Sequence, residues 1–245
     1  MKLRKGFIIA ISGSVVWAIT IVLYRIILSN GENPFNLTFW TTVLALPYWL
    51  FLLYKERINF RSLKRPDYLL LTAMAVVSSI GVGLAEVFAL KYNPAVNFSF
   101  LIRTVTIFTI VFAYLFLGER ITKQKVFLVV LLLIGSYFLI ANGAMIQLTR
   151  GDFFTIVEAI LIAFGTNVLG KKATNRMSAD TVSTGRFMIA FVPLIILAIA
   201  NTTIVIPQQI LLVLLITFLD FLLAVLIFHA FKHNTATYMT MIMSF

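Results

Sequence analysis

The chain has 245 residues, 61% of them hydrophobic and 12% charged, with a mean hydropathy of +1.01. Soluble globular domains carry far more charge, so a polytopic membrane protein is the class that fits. The net charge of +11 would suit nucleic acid if the basic residues shared a soluble surface, but they fall in short runs between apolar spans, so no nucleic-acid partner is expected. With no cysteine, the chain has neither a disulfide framework nor a thiolate metal site.

In chain order, Met-Lys-Leu-Arg-Lys opens onto an apolar run, Phe7 to Leu28, that is too long for the h-region of a signal peptide and reads as a retained first helix. Further apolar spans follow at 35–54, 68–90, 95–117, 126–142, 153–170, 181–200 and 207–231. At about 1.5 Å per residue, each is long enough, or nearly so, to cross the hydrocarbon core. The span 95–117 is the best bounded, ending abruptly at Gly118-Glu119-Arg120 and carrying Arg103 inside it. A ninth helix begins at Thr235 and is cut short by the end of the sequence.

Alternate connections differ sharply in Lys and Arg, which sets the orientation because cytoplasmic loops retain positive charge. With the N-terminus in the cytoplasm, that side holds Lys2, Arg4, Lys5, Lys55, Arg57, Arg61, Lys64, Arg65, Arg120, Lys123, Lys125, Lys171, Lys172, Arg176 and Lys232. The other side holds Lys91 and Arg150 alone. A multi-pass protein of the plasma membrane with a cytoplasmic N-terminus is the expectation.

Two offsets reveal an internal repeat. A shift of 146 matches Phe7, Thr20, Val22, Leu23, Thr38 and Pro47 to Phe153, Thr166, Val168, Leu169, Thr184 and Pro193, and sets Arg25 against Lys171. A shift of 141 matches Ala89, Lys91, Asn93 and Ala95 to Ala230, Lys232, Asn234 and Ala236. A unit of five helices is odd in number, so its two copies face opposite ways across the membrane, which is a common build of secondary transporters. The expected units are 6–142 and 151–245, the second incomplete.

The run Ala89-Leu90-Lys91-Tyr92-Asn93-Pro94-Ala95, the apolar stretch after it, and Leu115-Phe116-Leu117-Gly118-Glu119-Arg120-Ile121-Thr122 resemble the EamA-like branch of the drug/metabolite transporter superfamily. Trp17-Ala18 and the Asn-Gly at Gly143 are similar to it as well. The resemblance implies an all-α ten-helix carrier of two inverted five-helix bundles, here truncated in the ninth helix. It departs at Thr106, near which the family often has proline, and at Arg103, which the family pattern does not demand.

Ionisable groups inside spans cost about 2.5–3.5 kcal/mol each on insertion scales, so each needs a reason. Arg103 offers a planar donor fork to a carboxylate-bearing solute, or a structural pair for Glu86 across the third and fourth helices. Asp220 and Glu158 are candidate proton carriers, since a carboxyl withdrawn from water can load and release a proton; for Glu158 a pair with Arg186 is the structural alternative. Trp17, mid-helix, is a candidate for the cavity wall, and Asn97 and Asn167 for solute hydrogen bonds, or equally for ties between helices. No HExxH, GxxxxGK or GxSxG motif occurs, and His229 and His233 alone make no metal site, so neither an enzyme nor a cofactor is expected. The reading is a secondary transporter, exporting amino-acid-like or other small organic solutes by alternating access. A sugar or nucleotide-sugar carrier is the alternative among transporters, and a non-transporting helical membrane protein the alternative to transport. Its partners would be the solute and the lipid bilayer, with homodimerisation admitted.

Overall fold

The computed structural model describes residues 2–141 and 149–244. The Asn-Gly at Gly143, the boundary at residue 142 and the terminal Phe245 lie outside them. The described chain is helical throughout, with connecting turns and loops and no strand. Its helices are α1 (Lys2–Ser29), α2 (Pro34–Lys55), α3 (Arg65–Tyr92), α4 (95–117), α5 (Lys123–Ala141), α6 (Arg150–Thr174), α7 (Ala179–Asn201), α8 (Ile210–His233) and α9 (Ala236–Met243). All of these except α5 and α9 are candidate membrane spans by length and apolarity among the described residues.

Helix ends follow local chemistry. The Asn33 side chain accepts from the Phe35 and Asn36 N–H groups, and Pro34 fills the first turn of α2, where no donor is missed. Asp67 accepts from the Lys64 N–H at the start of α3, Asp152 from the Thr149 N–H at the start of α6, and Ser178 from the Thr181 N–H at the start of α7. α4 stops because Gly118 turns left-handed at φ 67°, letting the Glu119 N–H return to the Ala113 carbonyl. Glu119 then does more than end a helix at the membrane surface. Its carboxylate accepts from the Ala236 N–H at 2.8 Å and the Thr237 N–H at 3.3 Å, so it caps α9 as well, with Lys125 at 3.7 Å.

Packing is inverted relative to a soluble protein. Phe51, Phe127, Phe138, Ile196 and Leu211 point outward, whereas Thr20, Thr106, Thr109, Thr155, Ser183 and Thr217 are buried between helices. Hydrocarbon is as apolar as leucine, so lipid-facing sides gain nothing from polarity, and helix contacts are made by small and hydroxyl residues. One apolar cluster gathers Met74, Met177, Val182, Phe228, Phe231 and Met239 at the end of the bundle where α1 begins. A second gathers Tyr24, Leu37, Leu90, Phe98, Val213 and Ile216 toward the other end.

α1 packs along α8, α3 along α6, and α2 along α7. The ends of α1 and α6 are tied alike. Arg25 donates to the carbonyls of Leu90 and Lys91 where α3 stops, and Lys171 donates to the carbonyl of Phe231 where α8 stops. Gly6 in turn lies against Asn234, and Gly151 against Asn93. A Cβ on Gly151 would stand 2.5 Å from the Asn93 nitrogen, a backbone atom that cannot swing aside.

Candidate functional site

Two helices that cross in the middle of the bundle leave regular α geometry. α3 widens to π-helical winding over Ala75–Gly81, and α6 does so over Ile162–Leu169. Such widened turns are frequent at functional positions because they rotate side chains out of the regular series. Here they meet face to face. The Ser78 and Thr166 hydroxyls hydrogen-bond at 2.7 Å, and a Cβ on Gly165 would lie 2.7 Å from Val77 Cγ1, so only glycine permits the crossing.

Beside this crossing is a cavity of about 240 Å³. α1 contributes Trp17 and Tyr24, α2 contributes Thr41 and Trp49, and α3 contributes Ser78, Ser79 and Glu86. Glu158, Thr166 and Asn167 come from α6, Arg186 from α7, and Thr217 and Asp220 from α8. Three carboxyls and one guanidinium thus share a small space with two indoles.

Their partners differ. Tyr24 donates its hydroxyl to Asp220 Oδ2 at 2.7 Å. Glu86 and the Trp17 indole stand on the same cavity wall. Glu158 is fully buried, and neither of its oxygens has a hydrogen-bond partner among the described residues. Arg186 donates through one terminal nitrogen to the Ser78 and Ser79 hydroxyls at 3.1 and 3.2 Å, and its guanidinium carbon lies 5.0 Å from the centre of the Phe228 ring.

Of the residues expected from sequence, Trp17, Glu86, Asn167, Asp220 and Glu158 stand on the cavity wall. Asn167 also ties helices, donating to Thr109 of α4 and Thr240 of α9 at 2.9 Å each. Arg103 and Asn97 are not among the lining residues. Arg103 donates to the Ser99 and Ser244 carbonyls rather than pairing with Glu86, and Asn97 reaches Asp152 at 3.3 Å, joining α4 to the start of α6. Glu158 and Arg186 likewise form no ion pair. The sequence pattern does not single out Tyr24, Ser78 or Ser79, and Thr166 stands out there only through the internal repeat. Arg186 figures there only as a partner for Glu158.

The family model of the EamA-like transporter family matches residues 4–141, more than half of the chain. The chain belongs to the EamA-like transporter family. An uncharacterized transporter of Methanothermobacter thermautotrophicus is 26% identical over 194 residues, 74% of this chain and 53% of that protein. An uncharacterized transporter of Archaeoglobus fulgidus is 28% identical over 193 residues, 76% of this chain and 64% of that protein. The chain therefore spans between half and two thirds of the length of these relatives. A solved crystal structure shares the fold at a TM-score of 0.77 and 14% identity, covering 98% of this chain and 84% of the other.

Proposed function

We propose that this EamA-like protein is a secondary transporter that exports a small amino-acid-like solute by alternating access, with the cavity as the solute site. The carrying observation is the convergence of Glu86, Glu158, Asp220 and Arg186 on one mid-bundle cavity. Charges in the membrane interior are expensive and mark solute or ion pathways. A solute with both an ammonium and a carboxylate complements such a wall, and Trp17 and Trp49 suit its apolar part. Asp220 and Glu158 are the coupling candidates in this reading. Arg103 and Asn97, outside the cavity, serve to hold α4.

Two inverted copies, 6–142 and 151–245, account for the architecture in the same reading. Support comes from the matched ties. Arg25 and Lys171, paired by the shift of 146, each grip the last carbonyls of a helix, and those carbonyls lie at Lys91 and beside Lys232, paired by the shift of 141. The two apolar clusters then close opposite ends of one path.

Because the chain has no cysteine, single cysteines report on it directly. In cells, an impermeant thiol reagent applied outside is expected to label Arg150→Cys and spare Arg61→Cys, and inside-out vesicles are expected to reverse this. A cysteine at Ala224, on the cavity wall, is expected to react from both sides and to be protected by the solute. Labelling of positions 61 and 150 from one and the same side would rule out the inverted arrangement.

A further inference from the structure

Arg186 is held in an unusual way for a charge inside a membrane helix bundle. Its contacts are two neutral hydroxyls and the face of a phenyl ring, and its Nε has no acceptor among the described residues. None of the ion pairs among the described residues includes it. Hydroxyls and an aromatic face orient a guanidinium but carry no compensating negative charge.

None of the nearby carboxyls accepts a hydrogen bond from Arg186 among the described residues. Asp220, whose charge reaches Arg186 across the cavity, already accepts from the Tyr24 hydroxyl at 2.7 Å. Glu86 shares the cavity wall with Trp17, and Glu158 has no hydrogen-bond partner among the described residues. The guanidinium thus makes no ion pair among the described residues and is held by the Phe228 face and by Ser78 and Ser79 at one nitrogen. Both serines sit on the π-helical turn of α3, and Ser78 is itself fixed by Thr166 on the facing turn of α6. Ser79, having accepted from Arg186, keeps its own proton to donate.

We propose that Arg186, positioned by Ser78, Ser79 and Phe228, is the anchor for the carboxylate of the transported solute, while Glu86 on α3 receives its ammonium. The assignment rests on the transporter reading above and adds to it the residue that selects for an acid group. Planar guanidinium and planar carboxylate match in a fork geometry that a lysine cannot supply. Arg103 does not compete for this role, since it is not among the residues that line the cavity and donates instead to the Ser99 and Ser244 carbonyls.

The test uses the full-length protein in detergent and three related probes: L-leucine, its decarboxylated form 3-methylbutylamine, and its deaminated form 4-methylpentanoic acid. Trp17 and Trp49 line the cavity, so intrinsic fluorescence reads occupancy. Arg186→Gln is expected to weaken leucine and the acid by about tenfold or more and to leave the amine unchanged. Glu86→Gln is expected to do the reverse, weakening leucine and the amine. Ser79→Ala, which keeps the charge, is expected to weaken leucine and the acid by about threefold and to leave the amine unchanged. An Arg186→Gln protein that binds leucine like the wild type, or that loses amine and acid alike, overturns the Arg186 assignment by itself. Wild-type protein that binds none of the three overturns the amino-acid-like solute class and this assignment with it.

Discussion

Asp220→Asn is expected to lower solute flux by about two orders of magnitude while leaving the protein folded. Asparagine keeps the shape of the side chain and still offers an oxygen to the Tyr24 hydroxyl, which now stands 2.7 Å from the carboxylate. It removes the charge that faces both the solute and Arg186. Truncating one side of a buried, hydrogen-bonded charge contact costs about 2–5 kcal/mol, and each 1.4 kcal/mol is tenfold in an equilibrium constant. Tyr24→Phe removes a single hydrogen bond to a charged group, worth about 1.5–3 kcal/mol, and is expected to cost roughly ten- to a hundredfold. Initial rates in proteoliposomes check both, with size-exclusion profiles as the control for folding. Wild-type flux in Asp220→Asn would remove Asp220 from the solute path.

Glu158→Gln has the second large effect, and of a different kind. The wild-type carboxyl is fully buried, and neither oxygen is hydrogen-bonded among the described residues. An isolated carboxylate in such a place carries a desolvation penalty of several kcal/mol, so the group must take up a proton or a cationic group of the solute whenever the cavity is closed around it. Glutamine cannot exchange a proton. The variant is therefore expected to exchange solute for solute at near wild-type rates but to lose all accumulation driven by a pH gradient. Measuring both modes on the same proteoliposomes separates loss of coupling from loss of binding. Retained gradient-driven accumulation would strike Glu158 from the coupling role.

The spans were legible because a bilayer demands length and apolarity before anything else. Even the start of the ninth helix was placed by Thr235, whose side chain accepts from the Tyr238 N–H. Asp220, Glu158 and Glu86 stood out for the same reason, being carboxyls where none should be without cause. What could not be read was rotation about each helix axis. Arg103 and Arg186 look alike in sequence, each an arginine within an apolar span, yet one turns its donors to backbone carbonyls and the other to the cavity. The widened turns at Ala75–Gly81 and Ile162–Leu169 alter that rotation, and they coincide with the close crossing at Gly165 and Ser78, a tertiary contact with no periodic signature. Tyr24 escaped notice because a tyrosine in a membrane helix is unremarkable until its hydroxyl is seen to meet Asp220. Glu119 was visible as the end of a helix, but its cap on α9 joins residues over a hundred positions apart.

Solute is proposed to pass through the mid-bundle cavity lined by Asp220 and Glu86. Counterflow tests this most directly: proteoliposomes of the full-length protein are loaded with unlabelled L-leucine, diluted into trace labelled L-leucine, and followed in time. The account predicts a transient accumulation of label above equilibrium that is present in the wild type and absent in Asp220→Asn. Equal, monotonic equilibration in wild-type, variant and protein-free vesicles would contradict it.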